Sequence, residues 1–185
     1  MLKVGIILGS TRPNRVSPAV GQWVLERAQT RADASYEIVD IADYNLPLLD
    51  EGIPPSLGKY TKEHTKTWAA KIASLDAFVF IAPEYNHGIP GALKNAIDFI
   101  YAEWNDKVAG FVSYGSAGGT RSVEHLRGVM AELQVADVRQ QVAFNLATDF
   151  ENYTTFKPAA FHDKNLETLL DQVVRWATAL KTVRG

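Results

Sequence analysis

Three short segments hold most of the residues whose types and spacing could do chemistry. The first, Gly9 to Ser17, reads GSTRPNRVS. It sets the hydroxyls of Ser10, Thr11 and Ser17 among the guanidinium groups of Arg12 and Arg15. Fork-shaped cationic donors beside hydroxyls suit a phosphate. They suit it better where a strand runs into a helix, because free N–H groups and the helix dipole favour an anion there. The segment has neither the G-x-x-x-x-G-K-[ST] of a Walker A loop nor the G-x-G-x-x-G of a dinucleotide fingerprint. That points to a monophosphate, such as a mononucleotide. A polar turn with solvated arginines is the plainer alternative.

The second segment reads PEYNHGIPGALKNAID over 83–98. Pro83 stops a strand, Tyr85 offers a flat face, and Glu84, Asn86 and His87 offer hydrogen bonds. Gly88 frees the backbone for close approach, and Pro90 opens a helix with further free N–H groups. Stacking area combined with in-plane donors is what a planar heteroaromatic ligand requires, although an ordinary Pro/Gly turn has similar composition. The third segment, YGSAGGTR over 114–121, holds Gly115, Gly118 and Gly119, which permit φ > 0 and close backbone approach. Ser116 and Thr120 can donate. Reading Ser116 as a nucleophile competes, but a G-x-S-x-G elbow needs glycine where this chain has Tyr114.

Several chemistries drop out on composition. There are no cysteines, which removes disulfides, thiolate metal sites, Cys-held clusters and Cys nucleophiles together, and fits a cytoplasmic location. The histidines are His64, His87, His125 and His162; none forms H-E-x-x-H, so no metal site is expected. His125 reads as a surface or packing residue, and Trp68 and Trp176 as core. The net charge of −2 gives no support for nucleic-acid binding. No apolar run reaches the roughly 18 residues that span a bilayer. The opening MLKVGIILGS is too short in apolar residues for a secretory segment and reads as a first strand.

The elements that must position these segments follow from apolar runs. Val4–Leu8, Tyr36–Ile41, Ala77–Ala82, Val108–Tyr114 and Val138–Phe144 read as strands, the more polar second and fifth as sheet edges. Helical spacing falls between them. Ser17 and Pro18 form a cap and first turn, 61–74 carries Trp68 and Ile72, Pro90 opens a third helix, and Thr120 caps a fourth. Leu166, Leu169, Leu170, Val173, Val174, Ala177 and Leu180 stripe the last. Strict alternation predicts one α/β domain over 1–185, a three-layer α/β/α sandwich on a five-stranded parallel sheet. The flavodoxin-like order 2-1-3-4-5 puts the switch point between strands 1 and 3, so the three segments converge at one edge. The proline-bearing stretch 42–58 reads as a long loop, functional or merely a surface excursion. The aromatic-rich 98–105 reads as either a subunit interface or core.

These segments, in this order, resemble the NADPH-dependent FMN reductase family, which includes flavodoxin-like quinone reductases, azoreductases and chromate reductases. GSTRPNRVSP at 9–18, PEYNHGIPGALKNAID at 83–98 and YGSAGGTR at 114–121 carry the resemblance. It implies FMN bound non-covalently. Ser10, Arg12, Arg15, Val16 and Ser17 would hold its phosphate; Pro83, Glu84, Tyr85, Asn86 and Gly88 would contact ring and ribityl; Gly115, Ser116 and Gly119 would flank the ring. It further implies NADPH or NADH as co-substrate, a small-molecule electron acceptor, no catalytic side chain beyond the flavin, and a homodimer or dimer-based homotetramer. An electron carrier that does not oxidise NAD(P)H directly is the first alternative, and a serine hydrolase the second.

Overall fold

Strand β3 (Ala77–Pro83) is buried at every position, as its unbroken AFVFIAP run requires. So is β4 (Val108–Gly115). Strands covered on both faces belong inside a parallel sheet between helical layers. In the computed structural model, which describes residues 1–184, they are the third and fourth strands of a five-stranded sheet ordered β2-β1-β3-β4-β5. The partners are β1 (Leu2–Leu8), β2 (Ala34–Asp40) and β5 (Ala136–Asn145), every pairing parallel. The two outer strands alternate between buried and exposed positions, as edges do. This is the flavodoxin-like α/β architecture and strand order read from the sequence.

Helices α1 (Ser17–Ala28) and α5 (Phe161–Arg184) cover one face through Val20, Trp23, Val24, Leu169, Leu170 and Val173. Helices α2 (Glu63–Ala73), α3 (Gly91–Asp98) and α4 (Thr120–Glu132) cover the other. Trp68 is buried and its indole N–H donates to the Ala96 carbonyl at 2.7 Å, fastening α2 to α3. Phe99, Ile100 and Trp104 are buried too, so the aromatic stretch after α3 is largely core.

Several local readings are corrected. Trp176 is 51% exposed; it precedes the buried Ala177 by one residue, about 100° around the helix, and so leaves the apolar stripe. Ser17 lies inside α1, with Val16 at the N-cap position and no side-chain cap. Pro90 stands just outside α3, and Thr120 follows Gly119, which occupies the N-cap. The stretch 42–58 is a loop, as read from its prolines, and it is tied down. It carries 3-10 turns at Ile41–Tyr44 and Pro55–Leu57, and Asn95 of α3 bonds the Pro47 carbonyl and the Leu49 N–H. A small hairpin, β6 (Phe150–Glu151) with β7 (Thr155–Phe156), was not foreseen. Among the described residues no helix is long and apolar enough to cross a membrane, and no group of metal-ligating side chains is gathered.

Candidate active site

The register aligns the carboxyl ends of the strands: Leu8 with Asp40 and Ile81, Pro83 with Tyr114, Gly115 with Asn145. All three loops therefore leave one edge of the sheet together. Gly9 donates its N–H to the Ile81 carbonyl at 2.9 Å, and a Cβ there would lie 2.8 Å from that same oxygen. Only glycine brings the loop this close to β3.

Ser10 is buried. Its Oγ shares a 2.7 Å hydrogen bond with the Tyr85 hydroxyl and accepts the Arg12 N–H at 3.3 Å. The chain then turns tightly: Arg15 N–H donates to the Arg12 carbonyl at 3.2 Å, with Asn14 left-handed at φ 56°. Arg12 is exposed. Arg15 is largely covered and forms an ion pair with Asp40, whose other oxygen accepts the Ala42 N–H at 3.0 Å. The Arg15 Nε is buried with no partner among the described residues. Ser17 turns inward, its Oγ 2.6 Å from the Tyr114 hydroxyl. Burial pushes that phenol well above its ordinary pKa. The first amides of a helix have no intrahelical acceptor, and in α1 Pro18 removes one of them.

The second loop is fixed to the third at its first residue, where Glu84 N–H donates to the Tyr114 carbonyl at 3.1 Å. Tyr85 and Gly88 exchange two hydrogen bonds, at 3.2 and 3.1 Å, closing a two-residue turn. Two residues of the turn are left-handed, Asn86 (φ 48°) and His87 (φ 70°). Asparagine and histidine enter this region more readily than most side chains, but two consecutive non-glycine residues there carry strain, which gathers at functional sites.

In the third loop the positive φ values fall on Gly118 (71°) and Gly119 (72°). A Cβ on Gly119 would stand 2.8 Å from Ser113 Cβ and from the Tyr114 nitrogen. Thr120 spends its hydroxyl on the Ala117 carbonyl at 3.1 Å, while Ser116 is exposed and its carbonyl accepts Asn145 Nδ2 at 3.0 Å. Glu84, with a side chain only 6% exposed, pairs with Arg121 and accepts the Arg121 backbone N–H at 3.2 Å. Burial alone would raise this carboxyl, but the Arg121 side chain and N–H outweigh it and hold it below the ordinary range.

Three contributors stand apart from the candidate positions: Asp40, Tyr114 and Arg121, which brace the loops. His125 is exposed and packs against the second loop, as a surface or packing residue should, its Nδ1 3.3 Å from where a Gly88 Cβ would be. A cavity of about 410 Å³ adjoins the first loop, lined by Thr11, Ile41, Ala42, Asn45, Leu46, Ala92, Asn95 and Ala96.

The residues present fit FMN. Exposed Arg12 and the free amides at the start of α1 could receive its phosphate, and the glycine backbone of the third loop with Tyr85 could lie against its ring. A family model described as NADPH-dependent FMN reductase matches residues 2–149. An NAD(P)H-dependent FMN reductase of Schizosaccharomyces pombe is 39% identical over 169 residues, covering 90% of this chain and 84% of that one. A 2-hydroxy-1,4-benzoquinone reductase of a Burkholderia species is 27% identical over 95% of this chain and 96% of its own. Among solved structures, the flavoenzyme FerB, an NAD(P)H:(acceptor) oxidoreductase from Paracoccus denitrificans, superposes with a TM-score of 0.74. It covers 97% of this chain and 98% of its own at 20% identity, a likeness of fold.

Proposed function

The chain belongs to the NADPH-dependent FMN reductase family, and on that footing we propose that it is an FMN-dependent NAD(P)H oxidoreductase. Its acceptor is a small molecule: a quinone, an azo compound, a metal oxyanion or free flavin. One observation carries this reading to the residues. Three loops from three strand ends are bonded to one another at a single edge, with an anion-binding end and a bare-backbone end side by side.

When bound, FMN supplies the redox chemistry, accepting a hydride from the nicotinamide and delivering electrons to the acceptor. The protein binds and orients. Arg12 and the backbone from Ser10 through Val16 and Ser17 would hold the phosphate, with Arg15 beside them in its pair with Asp40. Pro83, Glu84, Tyr85, Asn86 and Gly88 would contact the ring and ribityl from one side, and Gly115, Ser116 and Gly119 from the other. The Glu84–Arg121 pair keeps the two ring-bearing loops at fixed spacing. Among the described residues no hydrogen bond joins Ser116 to a histidine, so nothing favours the hydrolase alternative. Outward-held Leu48, Leu49, Ile53 and Leu57 on the stretch docked to α3 support a homodimer that uses this face, testable by light scattering of Leu48→Glu. A cytoplasmic location rests on the cysteine-free composition and is tested by fractionation.

The deciding experiment is the absorption spectrum of the purified protein, with and without added FMN. Flavin bands bleached anaerobically by NADPH or NADH, and restored by a quinone, are expected. Protein that neither holds FMN nor oxidises NAD(P)H with a quinone present would overturn the reading. Flavin that binds but is not bleached would point to the electron-carrier alternative.

A further inference from the structure

The first loop carries two arginines, and the structure treats them differently. Arg12 is exposed and forms no ion pair among the described residues. Arg15 is committed to Asp40, the last residue of β2, which stands beside Leu8 where the loop begins. Both side chains of the pair are more than four-fifths covered. Asp40 is also tied down on its far side, accepting the Ala42 N–H at 3.0 Å at the start of the 3-10 turn. A fixed carboxylate therefore lies at the edge of a loop expected to receive a phosphate dianion. Left bare, it would repel that dianion, and a covered charge is screened far less than an exposed one. Arginine holds such a carboxylate with a planar, permanently charged fork.

We propose that Asp40 is a positioning residue of the phosphate subsite and that the chief role of Arg15 is to neutralise it. Arg12 and the loop amides carry the phosphate, while Asp40 and Arg15 together contribute shape with little net charge. The pair also links the phosphate loop to Ile41, Ala42, Asn45 and Leu46, which wall the cavity opposite Thr11. Asp43, also on that 3-10 turn, is exposed and not part of the pair. This inference rests on the functional reading above, because it presumes that loop one receives the FMN phosphate.

The test is a double-mutant cycle on cofactor affinity, read by quenching of flavin fluorescence in apoprotein with FMN and, in parallel, riboflavin, which lacks the phosphate. Arg15→Gln bares the carboxylate and is expected to weaken FMN at least tenfold while leaving riboflavin within twofold. Asp40→Asn alone keeps the Ala42 acceptor and is expected to bind FMN no more weakly than wild type. Arg15→Gln combined with Asp40→Asn is expected to return FMN affinity to within threefold of wild type. Arg15→Lys keeps the charge on a chain of similar length and serves if Arg15→Gln does not fold; it is expected within threefold. A double variant as weak as Arg15→Gln would make Arg15 a direct phosphate ligand and overturn the proposal. A tenfold loss in Asp40→Asn or in Arg15→Lys would overturn it equally. Wild-type protein that binds FMN no tighter than riboflavin would fail the functional reading itself, and this proposal with it.

Discussion

Replacing Glu84 by glutamine removes one charge and little volume from the joint between the second and third loops. The carboxylate is nearly buried, it pairs with the Arg121 guanidinium, and it accepts the Arg121 N–H at 3.2 Å in the first turn of α4. Hydrogen bonds to charged groups contribute about 1.5–3 kcal/mol net. The Arg121 side chain is 39% exposed, so solvent screens part of the pair and the lower end applies. Glutamine keeps the acceptor for the backbone N–H, which leaves a loss of about 1–2 kcal/mol, or roughly 3–6 °C in Tm for a chain of this size. The assay is thermal unfolding of the apoprotein by circular dichroism, because bound cofactor would raise Tm by itself.

The pH dependence gives this prediction its second edge. The folded Glu84 carboxyl sits below its ordinary value of 4.5, so the unfolded chain binds the proton more readily. Its contribution is therefore fully present above that value and is lost as pH falls through the lower folded value. The gap between wild type and Glu84→Gln should be wide at neutral pH and close on the acid side. A Tm difference under about 1 °C at pH 7, or a gap that does not narrow in acid, would refute the reasoning.

Three further outcomes follow from the same geometry. Tyr114→Phe or Ser17→Ala each strands a buried hydroxyl from the 2.6 Å pair and should cost about 1–3 kcal/mol, with the double variant costing less than the sum, by urea unfolding. Lys107 is buried, donates to the Ile72 and Ala73 carbonyls at the end of α2, and has its pKa lowered to about 8, chiefly by burial. Between that value and its ordinary 10.5 the unfolded chain binds more protons, so this group adds stability as pH rises; Lys107→Met should abolish a rise of roughly 1–3 kcal/mol across that window. Gly119→Ala places a Cβ 2.8 Å from backbone at φ 72° and should destabilise by about 3 kcal/mol or more, with FMN affinity falling alongside, checked by unfolding and fluorescence titration.

Sheet and strand order were legible because their signal is local. AFVFIAP is apolar through its length and VAGFVSYG nearly so, broken only by the buried Ser113; such runs suit strands covered on both faces, and the polar positions in β2 and β5 mark them as edges. The convergence of three loops then follows from topology alone. Side-chain direction was not legible. Ser17 reads as a cap and a phosphate donor, yet its hydroxyl meets a phenol 97 positions away. Arg15 reads as a free cation, yet Asp40 holds it. The left-handed turn of the second loop falls on Asn86 and His87, inside the Tyr85–Gly88 bridge, which the composition of PEYNHG does not mark. The β6–β7 hairpin has strands of two residues, too short to show a period. The directions of Ser17 and Arg15 are decided by contacts between distant chain segments, which residue spacing does not encode.

The same contacts explain what kind of binding edge this is. Of the polar groups that look available in the sequence, Ser10 is bonded to Tyr85, Ser17 to Tyr114, Arg15 to Asp40, Glu84 to Arg121 and Thr120 to Ala117. All but the last cross from one segment to another. The loops are thus braced before a ligand arrives, and the entropy of ordering them is lost at folding rather than at binding. What is left to meet the ligand is mostly backbone, presented by glycine and by two left-handed residues, with Arg12 as the free charge. Backbone groups in a rigid frame discriminate by shape and position. Cutting a brace remote from the ligand should therefore weaken FMN as much as removing a side chain that touches it, and the brace variants should lose affinity for riboflavin and FMN alike. The Arg15–Asp40 pair should not follow that pattern: Arg15→Gln acts through the phosphate alone, and Asp40→Asn leaves affinity for both ligands in place.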